Sequence, residues 1–193
     1  MRKLIVCNIL SLDGYFTGPN DDVMVMPFDN GFSEYNVELM RAANTILLGR
    51  KSYEGFRDYW PSIADKPDEP PVEREISRIW ATIEKVVVSD SLTPDEADGW
   101  GVTRILRRGD AHAAIAEMKA GPGRDIVMFG SHVLWNDLAA AGLVDEFHFM
   151  IGAGVLAGGA RAFEARLPGA LRLLEARAFD GSNLVLVRYA IDR

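Results

Sequence analysis

Cysteine is nearly absent from this chain of 193 residues, because Cys7 is the only one. A single cysteine excludes an intrachain disulfide and leaves no cysteine cluster that could hold a metal ion. No spacing of histidine, aspartate and glutamate is typical of a metal site either, so we expect no bound metal. The simplest interpretation of Cys7 is a small, buried, apolar residue.

Long hydrophobic runs are also missing. The first apolar run, residues 4–10, is followed by Ser11-Leu12-Asp13-Gly14 and has no small-residue cleavage pattern. A run this short is typical of a buried strand and too short for a membrane span or a signal peptide. We therefore expect a cytoplasmic protein.

Positive charge is scarce: 21 lysines and arginines face 28 aspartates and glutamates, which gives a formal net charge of −7. An acidic chain is a poor general partner for nucleic acid or for an anionic membrane, so we expect neither. The hydrophobic content of 48% in 193 residues is enough for one well-buried core, and no repeat or linker divides the chain. We expect a single domain over residues 1–193.

Apolar runs and helical patterns alternate along the chain. The runs predict strands at residues 4–10, 45–48, 85–88, 102–106, 126–129, 147–151, 171–179 and 184–191. Helices are predicted after the capping residues Ser33, Ser52, Asp110 and Ser131 and around Val72, Ile76 and Ile79. The last two strands flank the turn Asp180-Gly181-Ser182-Asn183, which favours a hairpin. This order predicts an α/β domain with a largely parallel sheet and an antiparallel edge.

The segment Gly49-Arg50-Lys51-Ser52 lies between the strand at 45–48 and the helix that follows it. A strand, a tight turn and a helix N-terminus direct several backbone N–H groups and the positive end of the helix dipole at one point. Arg50 and Lys51 add two cations, so the segment predicts a phosphate site. The alternative is that Gly49 only permits the turn and that both cations are solvated.

Other strand ends repeat this pattern at Ser89-Asp90, Arg107-Arg108-Gly109 and Gly130-Ser131-His132. Ligands of α/β sheets bind beyond the carboxyl ends of the strands, so one extended polyanion such as a dinucleotide could contact all of these segments. Arg107 and Arg108, with Arg50 and Lys51, would suit a further phosphate on the adenosine ribose. Taken alone, Arg107-Arg108 is more typical of a solvated strand end, and His132 is more typical of a polar residue at a helix start than of a catalyst.

Two further observations argue against a hydrolase and against a Rossmann-type dinucleotide site. No Gly-x-Ser-x-Gly or similar segment indicates a hydrolase. The glycine-rich stretch at 152–159 is followed by a hairpin instead of the helix that a Rossmann fingerprint requires. Its glycines are better explained by close approach to a ligand or to the preceding loop.

Residues 8–20, 47–56, 85–89, 125–131 and 142–163 together resemble, in order, the signature segments of the dihydrofolate reductase superfamily. The branch they are most similar to is the reductase domain of the bifunctional riboflavin-biosynthesis deaminase/reductase. The resemblance implies a three-layer domain with a mixed, mostly parallel sheet of about eight strands, which is an ordinary sheet size. Helices would cover both faces, and NADPH would be the hydride donor.

The resemblance also implies roles for individual residues. The cofactor phosphates would be held by Gly49, Arg50, Lys51, Ser52 and Ser89, and the pyrophosphate and nicotinamide side would be lined by Gly130, Ser131, His132 and Val133. The loop with Ser11, Asp13, Gly14 and Tyr15 would cover the nicotinamide and substrate, and Gly158 and Gly159 would close the floor of the pocket.

The resemblance leaves the proton donor open. Phe129 stands beside the expected substrate where pyrimidinone reductases have a glutamate. Folate reductases place a carboxylate in the first helix, where this chain offers Asp29, Glu34 and Glu38. Hydride transfer to a C=N or C=O bond leaves negative charge that an acid or water must neutralise. Asp13 is our first candidate acid and Glu38 our second, although Asp13 before Gly14 is equally typical of a turn residue.

We therefore expect an NADPH-dependent reductase of a small heterocyclic substrate. The nearest named reaction is that of 5-amino-6-(5-phosphoribosylamino)uracil reductase in riboflavin biosynthesis. The alternatives are a dihydrofolate reductase proper and a dinucleotide-binding protein without turnover. The apolar C-terminal hairpin, if it formed an unpaired sheet edge, would favour burial in a homodimer.

Overall fold

The computed structural model describes residues 1–97, 99–101 and 103–192. The strands are β1 (Leu4–Leu10), β2 (Ala43–Gly49), β3 (Glu84–Val88), β4 (Thr103–Leu106), β5 (Asp125–Phe129), β6 (Glu146–Ile151), β7 (Ala170–Ala178) and β8 (Val185–Asp192). The helices are α1 (Asn30–Ala42), α2 (Arg50–Tyr59), α3 (Pro71–Thr82), α4 (Pro94–Ala97), α5 (Arg108–Ala120) and α6 (His132–Ala140). The predicted strand start at Val102 lies outside the described residues. In the described ranges, no helix has the length and apolar character needed to cross a bilayer.

The eight strands form one sheet in the order β4-β3-β2-β5-β1-β6-β8-β7. Neighbouring strands from β4 to β6 are parallel, whereas β8 is antiparallel to both β6 and β7. Parallel neighbours need crossover connections, which most of the helices supply. The predicted fold class, with its mostly parallel sheet and its antiparallel C-terminal hairpin, is confirmed.

Both faces of the sheet are covered, which explains the almost continuous apolar run of β1. Cys7 and Ile9 point into a core shared with α1, α2 and α3, and Val6 and Leu10 point into a second core shared with α5 and α6. All seven residues of β1 are buried. A central strand buried on both faces loses the alternation of apolar and polar residues seen in half-exposed strands. The three-layer arrangement is therefore confirmed as well.

Helix α1 begins earlier than predicted. Asp29 is its N-cap, and its carboxylate accepts the Phe32 N–H at 3.3 Å. Ser33, the predicted cap, lies inside the helix, and its hydroxyl donates to Glu73 of α3. Both residue types can cap a helix, so residue type alone could not distinguish the cap from a residue that bonds to another helix.

Helices α2 and α5 also begin before their predicted caps. Gly49 and Arg107 are the N-cap residues, so Ser52 and Asp110 lie within the first helical turn. The Ser52 hydroxyl accepts a hydrogen bond from the Ser131 N–H at 2.8 Å instead of capping its own helix. A contact between distant parts of the chain has taken the place of the local one.

The glycine-rich loop after β6 packs against the loop after β1. The Leu12 N–H donates to the Gly154 carbonyl at 2.8 Å. At Gly159, φ is +110°, and a Cβ atom would lie 2.0 Å from the Thr17 carbonyl oxygen. Glycine is required there because no side chain fits between the two backbones. Two reasons were predicted for the glycines, close approach to a ligand or to the preceding loop, and Gly159 fits the second.

Candidate active site

Two strand-to-helix connections meet at the carboxyl edge of the sheet. Gly49 connects β2 to α2, and Gly130 with Ser131 connects β5 to α6. Because β2 and β5 are hydrogen-bonded parallel neighbours, the N-termini of α2 and α6 lie side by side. We call residues 49–52 and 130–133 together the paired junction.

Serine hydroxyls hold the two halves of the paired junction together. The Ser131 hydroxyl accepts the Gly49 N–H at 3.0 Å and donates to the Phe129 carbonyl at 3.2 Å. The Ser52 hydroxyl accepts the Ser131 N–H at 2.8 Å. Its own proton has no acceptor among the described residues and is available to a ligand. An anion placed here would also meet the first-turn N–H groups of two helices.

Glycine is required at position 130. Its φ is +58°, and a Cβ atom would lie 2.8 Å from the Ser52 oxygen. Ser131 is also left-handed, with a φ of +56°. Asn8 of β1 fixes this turn, because its Oδ1 accepts the Gly130 N–H at 2.7 Å and its Nδ2 lies 3.4 Å from the Gly130 carbonyl. Asn8 is the one polar residue in an otherwise apolar strand, which is the sequence signal for this role.

Arg50 and Lys51 differ in how much of their charge is already paired. Arg50 donates to Glu54 at 2.7 Å and lies 3.2 Å from Glu96, and the bond to Glu54 raises the pKa of Arg50 above its usual value. The Lys51 side chain is 88% exposed and lies 3.7 Å from Asp21. Solvent screens so exposed a pair, so Lys51 keeps most of its positive charge for a ligand.

Ser89, Arg107 and Arg108 lie further along the same edge, after β3 and β4. The Ser89 hydroxyl accepts the N–H groups of residues 91 and 92 and so shapes its own loop. Arg107 donates to the carbonyls of Ser89 at 2.9 Å and Leu92 at 3.2 Å. In the described ranges it has no carboxylate partner. Arg108 is an exposed residue 3.8 Å from Asp90.

A cavity of about 140 Å³ opens beside the paired junction, between the ends of β1 and β5 and the helices α1 and α3. Its lining residues are Cys7, Asn8, Ile9, Phe16, Val23, Met26, Phe28, Phe32, Asn36, Met40, Phe56, Trp60, Ile76, Trp80, Phe129 and Gly130. Phe129 and Gly130 were predicted at this site. Most of the lining is aromatic or aliphatic, and none of these residues carries a charge. A cavity of about 150 Å³ with apolar walls can hold one benzene-sized ring.

Asn36 is a polar residue of the cavity lining that sequence reasoning missed. It lies on one stripe of α1 with Phe32 and Met40, at spacings of four residues, and this stripe faces the cavity. Its Oδ1 lies 3.5 Å from the Cys7 sulfur. An asparagine on the buried face of a helix is the available signal, but it becomes informative only once the facing cavity is known.

Asp13 holds two loops together. Its carboxylate accepts the Ser11 hydroxyl at 2.7 Å and the N–H groups of Leu156 at 3.1 Å and Ala157 at 2.8 Å. The Ser11 bond and the backbone N–H groups lower the pKa of Asp13 to about 2. Asp13 is therefore ionised at neutral pH and does not line the cavity. In the structure, our first candidate acid connects two loops.

The remaining residues of the predicted covering loop also make contacts within the protein. The Tyr15 N–H donates to the Ser11 hydroxyl at 2.8 Å, and Tyr15 forms a bridge with Arg161. Gly14, with a φ of +83°, accepts the Ala162 N–H through its carbonyl at 2.9 Å. From this loop, Phe16 lines the cavity, whereas the predicted residues Ser11, Asp13, Gly14 and Tyr15 do not.

None of the candidate carboxylates of α1 reaches the cavity. Glu38 is exposed and lies 3.1 Å from Arg177 of β7, and Asp29 caps the helix. Glu34 is exposed. The cavity faces a different stripe of α1 from the one that carries these carboxylates, and the polar residue on that stripe is Asn36. The structure therefore does not bring our second candidate acid, Glu38, to the cavity.

His132 and Val133 begin α6 at the paired junction. The His132 Nε2 donates to the Arg161 carbonyl at 2.7 Å, and its ring stacks on Phe16 with centroids 4.8 Å apart. The Val133 side chain is 67% exposed. At the paired junction these two residues contribute their backbone N–H groups. Gly158 and Gly159 likewise pack on the 17–19 segment and are not part of the cavity floor.

A comparison with protein families gives one match that spans most of the chain: the model described as RibD C-terminal domain matches residues 2–185. Among curated proteins, the uncharacterized protein YyaP of Bacillus subtilis (strain 168) is 29% identical over 189 residues, which cover 96% of this chain and 94% of YyaP.

Two solved structures share the fold. One is a diaminohydroxyphosphoribosylaminopyrimidine deaminase/5-amino-6-(5-phosphoribosylamino)uracil reductase from Thermotoga maritima, with a TM-score of 0.69 and 8% identity over 99% of this chain and 57% of that chain. The other is dihydrofolate reductase from Enterococcus faecalis, solved with NADP(H) and RAB-propyl, with a TM-score of 0.61 and 13% identity over 99% of this chain and 97% of that chain. At these identities the likeness extends to the fold alone.

Proposed function

Because the chain belongs to the RibD C-terminal domain family, we propose that it is an oxidoreductase that transfers a hydride from NADPH to a small heterocyclic substrate. The observation that carries the proposal is the paired junction next to an aromatic cavity. One ligand that is anionic at one end and has a flat ring at the other matches both features. A reduced nicotinamide dinucleotide has this composition.

The paired junction fits the pyrophosphate. The N-termini of α2 and α6 lie side by side, and each offers unpaired backbone N–H groups and the positive end of its dipole. The Ser52 hydroxyl proton is available there as well. Gly130 has no Cβ atom, so the turn after β5 can approach the Ser52 hydroxyl closely.

The cations along the edge fit a phosphate on the adenosine ribose. Arg107 lacks a carboxylate partner among the described residues, and Lys51 and Arg108 are exposed cations near the same edge. Arg50 contributes less because Glu54 and Glu96 share its charge. The E. faecalis dihydrofolate reductase with the same fold was solved with NADP(H), which supports the choice of this cofactor.

The cavity fits the substrate ring, and the nicotinamide ring would lie at its mouth beside the paired junction. When bound, NADPH supplies two electrons and a hydrogen as a hydride. The residues of the chain then bind and orient: Phe129 and Gly130 border the ring nearest the paired junction, and the apolar walls exclude water from the reacting atoms. No carboxylate lines the cavity in the described part of the chain, so we propose that water supplies the proton.

The substrate class is the least determined part of the proposal. The nearest named reaction is 5-amino-6-(5-phosphoribosylamino)uracil reduction in riboflavin biosynthesis, the activity in the description of the T. maritima protein. Phe129 stands where that activity is expected to have a glutamate. A dihydrofolate reductase proper would need a carboxylate in the cavity, and Asn36 lies there instead.

Thermal unfolding with cofactor tests the proposal. A ligand that binds only the folded state raises the melting temperature in proportion to the logarithm of its concentration over its Kd. We expect NADPH to raise the melting temperature more than NADH does, and NADPH oxidation with at least one heterocyclic acceptor. If neither NADPH nor NADH shifts the melting temperature, the enzyme assignment is refuted. A shift without oxidation of any acceptor would favour a binding protein without turnover.

We also propose that the protein is a homodimer that pairs through β7. This strand is a sheet edge, and it exposes Leu171 and Leu173 by 42% and 53%. An exposed apolar edge strand is prone to pair with another strand. Light scattering should give about twice the monomer mass of 21.3 kDa, and the substitution Leu173→Lys should give the monomer. A wild-type protein that runs as a monomer at every concentration would remove this idea.

A further inference from the structure

We infer that the cavity binds the uncharged, planar ring of a cyclic conjugated carbonyl compound, such as a quinone, and that the Asn36 amide holds its carbonyl oxygen. This inference rests on the proposed reductase function and narrows its substrate class. It departs from both named reactions, because their substrates carry a phosphate or a carboxylate-bearing arm.

The lining of the cavity excludes a charged ligand group. All of its described side chains are apolar, aromatic, amide or thiol, and no lysine, arginine, aspartate or glutamate is among them. Burial of a charge without a partner costs several kcal/mol, on the order of the full binding energy of a weak ligand. The volume of about 140 Å³ also limits the occupant to about one ring.

Asn36 presents a hydrogen-bond donor to this cavity. Cys7 is fully buried, and burial raises the pKa of its thiol, so the thiol stays protonated and donates to Asn36 Oδ1 at 3.5 Å. The Asn36 Nδ2 is then left without an acceptor among the described residues. The two other amide atoms at the cavity, those of Asn8, already bond to Gly130.

Trp60 contributes an aromatic wall to the cavity. Its Nε1–H is shielded from solvent and does not open into the cavity. The ring is held in place, since it stacks over Trp80 with an interplanar angle of 13° and meets Tyr59 edge-on. The Asn36 amide is therefore the donor that calls for a carbonyl oxygen or a similar acceptor on the occupant.

Reduction of such a ring balances with the reactants already proposed. One hydride from NADPH and one proton from water convert a quinone into its hydroquinone, and NADP⁺ is released. The negative charge that develops falls on the carbonyl oxygen, where N–H donors strengthen their bonds as the charge grows. No acidic side chain is needed at the ring, in agreement with the lining.

The test uses toluquinone, a neutral single-ring quinone, against dihydrofolate and 5-amino-6-(5-phosphoribosylamino)uracil, which carry charged arms. Binding is followed by quenching of tryptophan fluorescence without cofactor, and turnover by NADPH oxidation corrected for the uncatalysed rate. We expect toluquinone to bind and to be reduced with a higher kcat/KM than either charged compound. Turnover of only a charged compound would overturn the inference while leaving the reductase function intact.

One substitution connects the result to the donor. Asn36→Leu removes the amide at similar volume. It should lower kcat/KM for toluquinone about fivefold to tenfold, as expected for one lost hydrogen bond, while the Kd of NADPH is unchanged. Tyr59→Phe is the matched control, because Tyr59 adjoins Trp60 but does not line the cavity.

The outcomes separate this inference from the proposed function. Toluquinone binding that depends on Asn36, in a protein that does not bind NADPH, would support the ring site and refute the reductase. NADPH binding with toluquinone kinetics that Asn36→Leu does not change would refute the ring site and leave the reductase intact. Melting temperatures of the variants within a few degrees of wild type exclude unfolding as the cause of either result.

Discussion

The two edges of the sheet carry many charges but use them differently. At the amino edge, Lys3 pairs with Glu146 at 2.6 Å and Lys119 pairs with Asp145 at 2.7 Å. At the carboxyl edge, Arg107 bonds only to backbone carbonyls in the described ranges. Charges satisfied within the protein stabilise the fold, whereas a cation without an anionic partner can contribute its charge to a ligand. The comparison therefore separates an edge whose charges are paired within the protein from the edge where we propose that the cofactor binds.

The amino edge is also more deeply buried. Glu146 and His148 are 3% and 1% exposed, and a chain of hydrogen bonds runs from the Tyr35 hydroxyl to His148 Nδ1 at 2.6 Å and from His148 Nε2 to Glu146 at 2.8 Å. Burial lowers the pKa of His148, and the bonds from His148 and Lys3 lower that of Glu146 to about 2. At neutral pH the imidazole is therefore neutral and the carboxylate is ionised.

The largest expected effect is on stability at the amino edge. Glu146→Gln removes the partner of Lys3 and weakens the bond from His148, so the free energy of unfolding should fall by about 2–4 kcal/mol. Urea unfolding measures this change. Glu34→Gln is the control, since Glu34 is exposed on α1 and should change the value by less than about 0.5 kcal/mol. Equal effects of both variants would contradict the contrast between the edges.

The pH dependence of unfolding tests the same group. The pKa of Glu146 is lower in the folded protein than in the unfolded chain, so its contribution is complete above about 4.5 and is lost as the pH falls toward about 2. The lowered pKa of His148 acts in the same direction, because the unfolded chain takes up a proton below about 6.5. Wild-type stability should therefore fall on acidification, and Glu146→Gln should lose the part between about 4.5 and 2.

At the carboxyl edge, Gly130→Ala should have the largest effect. The new Cβ would lie 2.8 Å from the Ser52 oxygen at a φ of +58°, which forces the two halves of the paired junction apart. We expect the Kd of NADPH to rise about 30-fold or more, from the loss of about 2 kcal/mol. Gly55→Ala is the control, because Gly55 lies in α2 with open space around it, and alanine should stabilise the helix by up to about 1 kcal/mol. An unchanged Kd in Gly130→Ala would place the cofactor elsewhere.

Arg107→Ala should have a smaller and more selective effect. If Arg107 contacts the ribose phosphate, the Kd of NADPH should rise about tenfold while that of NADH stays the same, as expected for one charge-assisted contact. Calorimetric titration with both cofactors measures the two constants. Arg78→Ala serves as the control, since Arg78 lies near the end of α3 and hence toward the amino edge. A similar loss for both cofactors would show that Arg107 does not distinguish them.

The smallest expected effect comes from salt. Raising the salt concentration from 50 to 500 mM should weaken NADPH binding by about threefold to fivefold, since the cations of the carboxyl edge are exposed and screened. The melting temperature of the protein without cofactor should change little, because Glu146 and His148 are shielded from solvent. A melting temperature that depends on salt as strongly as the Kd would remove the distinction between the edges.

Sequence reasoning was most successful where local patterns decide the structure. All eight predicted strands are present, and the fold class is confirmed, since apolar runs and turn residues act over a few neighbouring residues. It was less successful at helix starts, because Ser33 and Ser52 bond to distant groups instead of capping their own helices. Arg107 and Ser131 lie at one edge as expected, yet their hydrogen-bond partners could not be predicted.

The cavity shows the limit most clearly. Asn36, Trp60 and Trp80 come from different helices or turns, and nothing in their spacing connects them. Sequence reasoning selected Asp13 and Glu38 because carboxylates are the usual acids, but both are engaged elsewhere, with backbone N–H groups and with Arg177. The sequence shows the chemistry of each side chain, but it does not show which group that side chain contacts in the fold.

The amino-acid sequence by itself determined the order of strands and helices, the acidic net charge, and the glycine and serine residues at the strand ends. Only the tertiary structure decided that β2 and β5 are neighbours, that Ser52 and Ser131 therefore bond to each other, and that an uncharged aromatic cavity opens beside them. The physical reason is the range of the forces involved. Backbone preferences and hydrophobic periodicity act along the chain, whereas hydrogen-bond partners and burial depend on segments that only packing brings together.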